Sequence, residues 1–549
     1  MTTKDLADLI FPNITKTIED YEKMYPERDL PEGARVTRFA PSPTGYIHIG
    51  GMMQACIDYV NAKKTQGVYI LRIEDTDTAR TVDGATDMIF NTLEHYGLEP
   101  DEYEKDGKTI GNYGPYFQSE RKEIYHTFIK HAIEIGRAYP CFCSKEELEK
   151  TRVIQEKSKI RPGYHGRYAK CRNLSIDEAY ERIKNGEEYV IRFKSEGNFD
   201  KKFPFDDLVK GKLELPENDL DVPIMKSSDG LPTYHFAHLV DDHLMRTTHV
   251  VRGEEWLSSV PIHVELFQAF GFKAPKYVHT PLIMKKDGDS IRKISKRKDP
   301  EALMDYYISL GYPKEAVIES LMTIINSNYE EWRTGHPDEH YTDFEFNPKK
   351  MSSSGAFYDL EKLENISKNI LSKKTAVDVY NGLLNWSNKY DEEFNKLITE
   401  YKEYTINILN IEREQKKPRK DFAKYSDIKG KIWFMFDELF DNKDKEYKFQ
   451  SITDKEEIKN IVSTYLNEYY DESDDKDTWF NKVKELSVKF GYAGEVKEYK
   501  NNPDNYKGHV GDVSTVLRVS ITSESMTPDL YEIMKLLGKD RMIKRINQI

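Results

Sequence analysis

Along the chain, hydrophobic and polar positions first alternate legibly at ARVTRFAP (residues 34–41), the pattern of a short strand. Met52, Ala55, Cys56, Tyr59 and Val60 then recur at helical spacing as far as Gly67, which predicts a helix closed by a glycine turn. VYILRI (68–73) is a continuous apolar run of the kind a parallel sheet buries on both faces, and Ile89, Leu93 and Tyr96 predict a second helix ended by Gly97. This strand–helix–strand–helix order predicts a doubly wound α/β domain.

Upstream, residues 1–34 carry the apolar patch LADLIFPNI and a proline-marked turn, PERDLPEG, and predict a short helical extension. From 116 to 225 the pattern loosens into short strands and helices, which predicts a domain inserted between the halves of the sheet, 35–115 and 226–300. Beyond 300 the pattern is helical, with a region at 301–365 and an all-helical module at 366–549. In MTPDLYEIMKLLGK, Thr527 is the expected cap, Leu530, Ile533, Met534 and Leu537 form an apolar stripe, and Gly538 is the expected end.

Composition changes this picture in three ways. A chain of 549 residues exceeds what one hydrophobic core supports, so several domains are required. No stretch approaches the roughly 20 apolar residues of a membrane span, and the first residues lack a signal-peptide core, so a cytoplasmic protein with no membrane partner is expected. Four cysteines in this length form no secreted disulfide framework and are read as reduced thiols or metal ligands. The net charge of −13 argues against a nucleic-acid partner until its distribution is considered. There are 32 basic against 33 acidic residues from Ile366 onward and 50 against 62 before it, so local patches such as KKPRK (416–420) remain available to RNA.

Candidate chemistry begins at PSPTGYIHIGG (41–51). Glycines after the first strand let the backbone approach a phosphate, and the following helix offers free N–H groups and a positive dipole end. His48 stands at that junction and can donate to phosphate or ribose oxygens, while Gly50 and Gly51 leave room for a base. A plain Pro/Gly turn with an incidental histidine is the competing reading of this string. A second element, KKDGDSIRKISKRKDP (285–300), places Lys293, Lys296 and Arg297 in a loop bounded by Gly and Pro. Cations there can pair with triphosphate oxygens and neutralise charge building on a leaving pyrophosphate.

HIGG (48–51) and KISKR (293–297), in this order around an insertion, resemble the HIGH and KMSKS elements of class I aminoacyl-tRNA synthetases. The longer strings RFAPSPTGYIHIGG, LRIEDTD, GPYFQSER, SDGLPTYHFAHLVDDHLM, VVRGEEWLSSVPIHVELFQAFG and KISKRK resemble bacterial-type glutamyl-tRNA synthetases, and SSSGAFYDLEKL and VLRVSITSESMTPDLYEIMKLLGK extend the likeness. Glutaminyl enzymes of the same subclass usually carry a Pro-Glu-Pro-Asn type string where this chain has APSPTG.

The resemblance implies a Rossmann-like class I core, an inserted α+β domain that holds the tRNA acceptor end, a helical stem-contact region and an all-α anticodon-binding module. It implies that glutamate and ATP give glutamyl-adenylate, whose glutamyl group passes to the terminal adenosine of tRNA-Glu. His48, Lys293 and Lys296 are then the expected catalytic residues. His48, Gly50, Gly51, Lys293, Ile294, Ser295, Lys296 and Arg297 are expected to contact ATP with Mg²⁺ as counterion, and Arg38, Ala40, Ser42, Glu74, Tyr234, His238 and Arg252 to bind glutamate. His238 stands where many relatives have Asn. Some relatives bind structural zinc through a C-x-C pair and two further ligands, so Cys141, Cys143 and Cys171 are either a zinc site or reduced thiols, with Tyr164, His165 or Tyr168 as the fourth ligand. Two readings of function stay open beside the first: an enzyme that also glutamylates tRNA-Gln, and a synthetase-derived RNA-binding protein without catalysis. Monomer is the family default.

Overall fold

The computed structural model describes residues 1–77, 80–352 and 355–549; Ser353 and Ser354 of the SSSGAFYDLEKL string lie outside them. The chain forms two compact units, Met1–Tyr306 with Ile318–Asp359, and Tyr307–Val317 with Leu360–Ile549.

In the first unit the strand Val36–Phe39 runs parallel to Val68–Leu71, Val36 opposite Val68, with the helix Ile49–Lys64 as the crossover. His249–Gly253 runs parallel to Lys276–Thr280. The Thr248 N–H donates to Val36 O at 2.9 Å, which brings the two pairs edge to edge. The apolar runs are buried, as strands covered by helices on both faces require.

The 1–34 extension is built into this unit. Its helices Thr3–Ile10 and Ile18–Met24 both start with capping boxes, Thr2 with Asp5 and Thr17 with Asp20. Leu6, Phe11, Tyr21 and Tyr25 enter the main core. Arg28 closes the strap: its two Nη atoms lie 2.7 and 2.8 Å from the Glu102 oxygens, and its guanidinium sits 3.7 Å over Tyr113.

Between the sheet halves, Ala138–Cys141, Val190–Phe193 and Pro223–Met225 form an antiparallel sheet in that order. A hairpin follows the same chain, Lys202–Asp207 against Gly211–Pro216. Its turn is fastened to the parallel strand Lys276–Thr280 by Leu208 N–H donating to Tyr277 O at 3.0 Å.

In the second unit the described residues form helices and one isolated bridge, Ala493 to His509. Its core gathers Leu383, Trp433, Phe434, Phe440 and Leu517 among others. The last helical span, Leu530–Ile546, differs from the sequence expectation at its start. Its cap is Asp529, whose carboxylate accepts from Glu532 N–H, whereas the Thr527 hydroxyl accepts from Arg518. A carboxylate also complements the helix dipole, which a threonine does not. Gly538, at φ 73° and ψ 165°, is non-helical and stops the first helical stretch as expected; a second stretch follows it directly, with Met542 and Arg545 buried.

Candidate active site

The parallel strands deliver their carboxyl ends to one place, where crevices of open α/β sheets bind ligands. A cavity of about 240 Å³ lies there, lined by Arg38, Phe39, Ala40, Pro41, Ser42, Thr44, Gly45, Tyr46, Ile47, His48, Gly51, Gln54, Glu74, Ile89, Tyr234, Val251, Arg252, Trp256 and Lys296. Gly45 turns the loop at φ +113°, a conformation side chains disfavour. Nine of the sequence-selected residues therefore share one wall: Arg38, Ala40, Ser42, His48, Gly51, Glu74, Tyr234, Arg252 and Lys296.

His48 caps the helix Ile49–Lys64, its Nδ1 accepting from Gly50 N–H at 3.0 Å. A backbone N–H only donates, so the proton of neutral His48 sits on Nε2. Burial, with Lys296 and Lys293 nearby, lowers its pKa to about 4, so at neutral pH it is an uncharged donor. Lys296, exposed overall like Lys293 and Arg297, loses some of its basicity to desolvation where it meets the cavity lining.

The rest of the basic loop is anchored away from the cavity. Ile294 is a core residue, 2% exposed. Ser295 N–H donates to Asp299 Oδ2 at 2.8 Å, and Arg292 Nη1 and Nη2 reach the same carboxylate at 2.6 and 2.8 Å. Lys293 and Arg297 are exposed, and Gly50 lies one helical position behind the wall; Lys293, Ile294, Ser295, Arg297 and Gly50 do not line the cavity. Just past the loop, Leu303 bridges to His48 and Met304 N–H donates to Ile47 O at 3.0 Å.

The same lining carries two arginines and an acid, Arg38, Arg252 and Glu74. Arg38 Nε lies 3.1 Å from Asp242 Oδ1, and Arg72 Nη1 reaches the same oxygen at 2.8 Å. Burial opposes the Arg38 charge, and Asp242 more than offsets it. Burial likewise works against the Asp242 carboxylate, but Arg38 and Arg72 hold it well below the usual range. Glu74 is 3.1 Å from Arg72; burial raises its pKa against the pull of Arg72 and Arg38. Arg252 Nε donates to His279 Nε2 at 3.0 Å, its Nη1 to His263 Nδ1 at 3.1 Å, and its Nη2 has no partner among the described residues.

His238 does not line the cavity. Fully buried, it places Nε2 2.9 Å from the Tyr277 hydroxyl and Nδ1 2.5 Å from Asp242, and stacks behind Tyr234 with ring centroids 6.1 Å apart. An imidazole spans that gap, so His238 supports the wall and does not form it. The sequence reading also passed over Trp256, which packs on Tyr234 at 4.2 Å, although it stands inside the VVRGEEWL string. Asp242 and His263 were passed over although they stand inside quoted strings, whereas His279 lies outside them and its partner Asp207 is 72 positions away.

A second cluster lies in the insertion. The ligand atoms of Cys141, Cys143 and Cys171 all fall within 4.8 Å of one another, with Cys143 and Cys171 Sγ 3.7 Å apart. The Tyr164 hydroxyl lies 3.3 Å from Cys141 Sγ and 3.4 Å from Cys143 Sγ. His165 instead bonds Arg161 O, and Tyr168 accepts from Arg167. Zn–S bonds of ~2.3 Å in a tetrahedron set sulfurs ~3.8 Å apart, so the donors fit a zinc ion. A Cys171 hydrogen bond pulls the Cys141 thiol down to about 4, against burial, which readies one thiolate.

With this geometry in hand, comparison with known proteins is specific. Residues 35–365 match the profile of class I tRNA synthetases (E and Q), catalytic domain, and residues 500–549 that of an anticodon binding domain. The chain is 49% identical over 550 residues to the glutamate–tRNA ligase of Acetivibrio thermocellus, covering all of both chains. It is 48% identical to that of Clostridium perfringens strain 13, again covering all of both. A glutamate tRNA ligase from Elizabethkingia meningosepticum, solved in complex with its amino acid, superposes with a TM-score of 0.73 at 28% identity, covering 94% of this chain and 98% of that one.

Proposed function

The chain belongs to the class I tRNA synthetases of the E and Q type, and we propose that the cavity between His48 and Arg252 is where it activates L-glutamate with ATP. Its full-length relatives are glutamate–tRNA ligases, and it is an aminoacyl-tRNA synthetase of that kind. The observation that carries the site assignment is the shared lining: two arginines, a carboxylate, a neutral histidine donor and a lysine around one cavity.

Glutamate presents two carboxylates and one ammonium. In the proposed arrangement Arg252 and Arg38 take carboxylate oxygens and Glu74 the ammonium, with Ala40, Ser42 and Tyr234 completing the wall. A guanidinium with free N–H groups favours an anionic side chain over the neutral amide of glutamine. ATP lies toward His48 and Gly51, where Nε2–H donates to phosphate or ribose. Attack of the α-carboxylate on the α-phosphorus needs alignment and charge neutralisation more than covalent help. Lys296 supplies positive charge as pyrophosphate leaves, Lys293 reaches in from the exposed edge of the loop, and Mg²⁺ supplies the remaining counter-charge.

The insertion holds the acceptor end, with Cys141, Cys143, Cys171 and Tyr164 as a structural zinc site, and residues 366–549 read the anticodon. Four cysteines without a disulfide suit a reducing cytoplasm, and the enzyme acts there as a monomer. Charging of tRNA-Glu and tRNA-Gln transcripts with labelled glutamate tests the reading, with labelled glutamine as the control. Glutamate on tRNA-Glu alone is the expected result. Glutamate on both would make the enzyme non-discriminating, and charging of neither would overturn the catalytic assignment.

A further inference from the structure

We infer that Asp207, on the inserted hairpin, and His279, on the strand Lys276–Thr280, are positioning residues that hold the Arg252 guanidinium toward the cavity through one hydrogen-bonded line. The inference rests on the reading that Arg252 receives a glutamate carboxylate.

The line is fixed by what each group can do. Arginine only donates, so His279 Nε2, 3.0 Å from Arg252 Nε, must be unprotonated. The imidazole proton is then on Nδ1, which lies 2.6 Å from Asp207 Oδ2. The other Asp207 oxygen accepts from Val209 N–H at 2.9 Å and Lys210 N–H at 2.8 Å, so the hairpin backbone fixes the carboxylate. Asp207, His279 and Arg252 are 2%, 0% and 4% exposed. From the other side His263 Nδ1 accepts from Arg252 Nη1, and the Tyr234 hydroxyl lies 3.5 Å from the same nitrogen. Nε and Nη1 are thereby held, and Nη2, on a residue that lines the cavity, is the buried donor left without a protein partner. Arg121 also leaves a buried Nη2 without a partner, but Arg121 does not line the cavity; what distinguishes Arg252 is that its unpartnered donor belongs to a cavity-lining residue.

The choice of partners also matters electrically. Arg38 touches a carboxylate directly, through Asp242. Among the described residues, those in hydrogen-bond contact with the Arg252 guanidinium are histidines and a tyrosine, and the nearest acid on this line, Asp207, stands one imidazole further back. An acid in direct contact would cancel much of the Arg252 field and repel an incoming carboxylate, whereas a neutral imidazole orients the cation and leaves its charge for the substrate. Burial keeps His279 and His263 below the ordinary histidine pKa, consistent with neutral rings.

The test compares KM and kcat for glutamate and for ATP in tRNA charging by the full-length enzyme and by His279→Asn, His279→Gln, Asp207→Asn and Arg252→Lys, with the thermal midpoint of each. Gln places an oxygen acceptor where Nε2 stands, and Asn keeps a donor for Asp207 but withdraws that acceptor. His279→Asn is expected to raise the glutamate KM about tenfold or more, as a lost charge-assisted hydrogen bond does, with the ATP KM unchanged. His279→Gln should stay within about threefold of wild type, and Asp207→Asn should raise the glutamate KM at least about threefold. Equal glutamate KM in the two His279 variants, or parallel rises for both substrates, overturns the inference. If His279→Asn does not fold, Asp207→Asn decides, and an unchanged glutamate KM there overturns it. Arg252→Lys separates the two levels. A raised glutamate KM in Arg252→Lys with none in the His279 and Asp207 variants removes this inference alone, and no effect of Arg252→Lys removes the reading beneath it.

Discussion

Arg38 Nε and Asp242 Oδ1 stand 3.1 Å apart with side chains 3% and 0% exposed, and the same carboxylate also meets Arg72 and His238. One acid on the helix Tyr234–Leu244 thus holds the back of the amino-acid wall. Asp242→Asn leaves two buried guanidinium groups short of their counter-charge and is expected to cost about 3–5 kcal/mol. Urea unfolding measures it; a loss below about 1 kcal/mol would show that Asp241 or Glu74 takes over the pairing.

Lys296→Ala removes the one loop lysine that reaches the cavity wall. Pyrophosphate exchange is expected to slow by about 10²–10³, the scale of losing one preorganised charge at the reacting group. Glutamate affinity, read by calorimetry, should hold, since in the proposed arrangement Lys296 serves ATP. A normal exchange rate would remove Lys296 from the chemistry.

Acid should weaken the fold before its carboxylates titrate. His48, His235, His238 and His249 all have pKa values lowered to about 4, chiefly by burial. The unfolded chain binds a proton at each near pH 6.5 and the folded chain does not, so stability is full above about 6.5 and falls as pH drops toward 4. Each such histidine contributes a slope of about 1.4 kcal/mol per pH unit inside that window. Urea midpoints between pH 7.5 and 5 check this, and His249→Gln, away from the cavity, should flatten the dependence. A flat wild-type curve would place these rings in solvent.

Protein purified without added metal is expected to carry about one zinc per chain, measured by elemental analysis. Cys143→Ser and Cys171→Ser should lose it, and His165→Ala should keep it because His165 is turned to Arg161 O. An empty wild-type cluster would leave three reduced thiols around a tyrosine.

What the sequence makes legible is local. The strand, turn and helix at 36–64 follow from apolar spacing and glycine placement, and the resemblance names residues inside quoted strings, from Arg38 to Lys296. What it hides is the support behind them. Asp207 and His279 lie 72 positions apart, and Arg38 and Asp242 204 apart, so no periodicity could pair them. His238 is the instructive case: its place in the string suggested a substrate contact, while the bulk of an imidazole sends it to Tyr277 and Asp242. At Thr527 the residue type suited the expected cap, yet Asp529 was the better one, while Gly538, free to adopt a positive φ, stops the helical stretch where expected.

The hairpin turn fastened at Leu208 to Tyr277 gives the insertion a stake in the core. Its boundary is therefore not a clean module edge. Replacing residues 116–225 of this scaffold with a foreign insertion would discard Asp207 along with the rest of the segment. The recipient would keep its arginine and lose the residue that steadies it, so a chimera needs an aspartate restored at that one corner, and descent of the two segments is expected to be coupled.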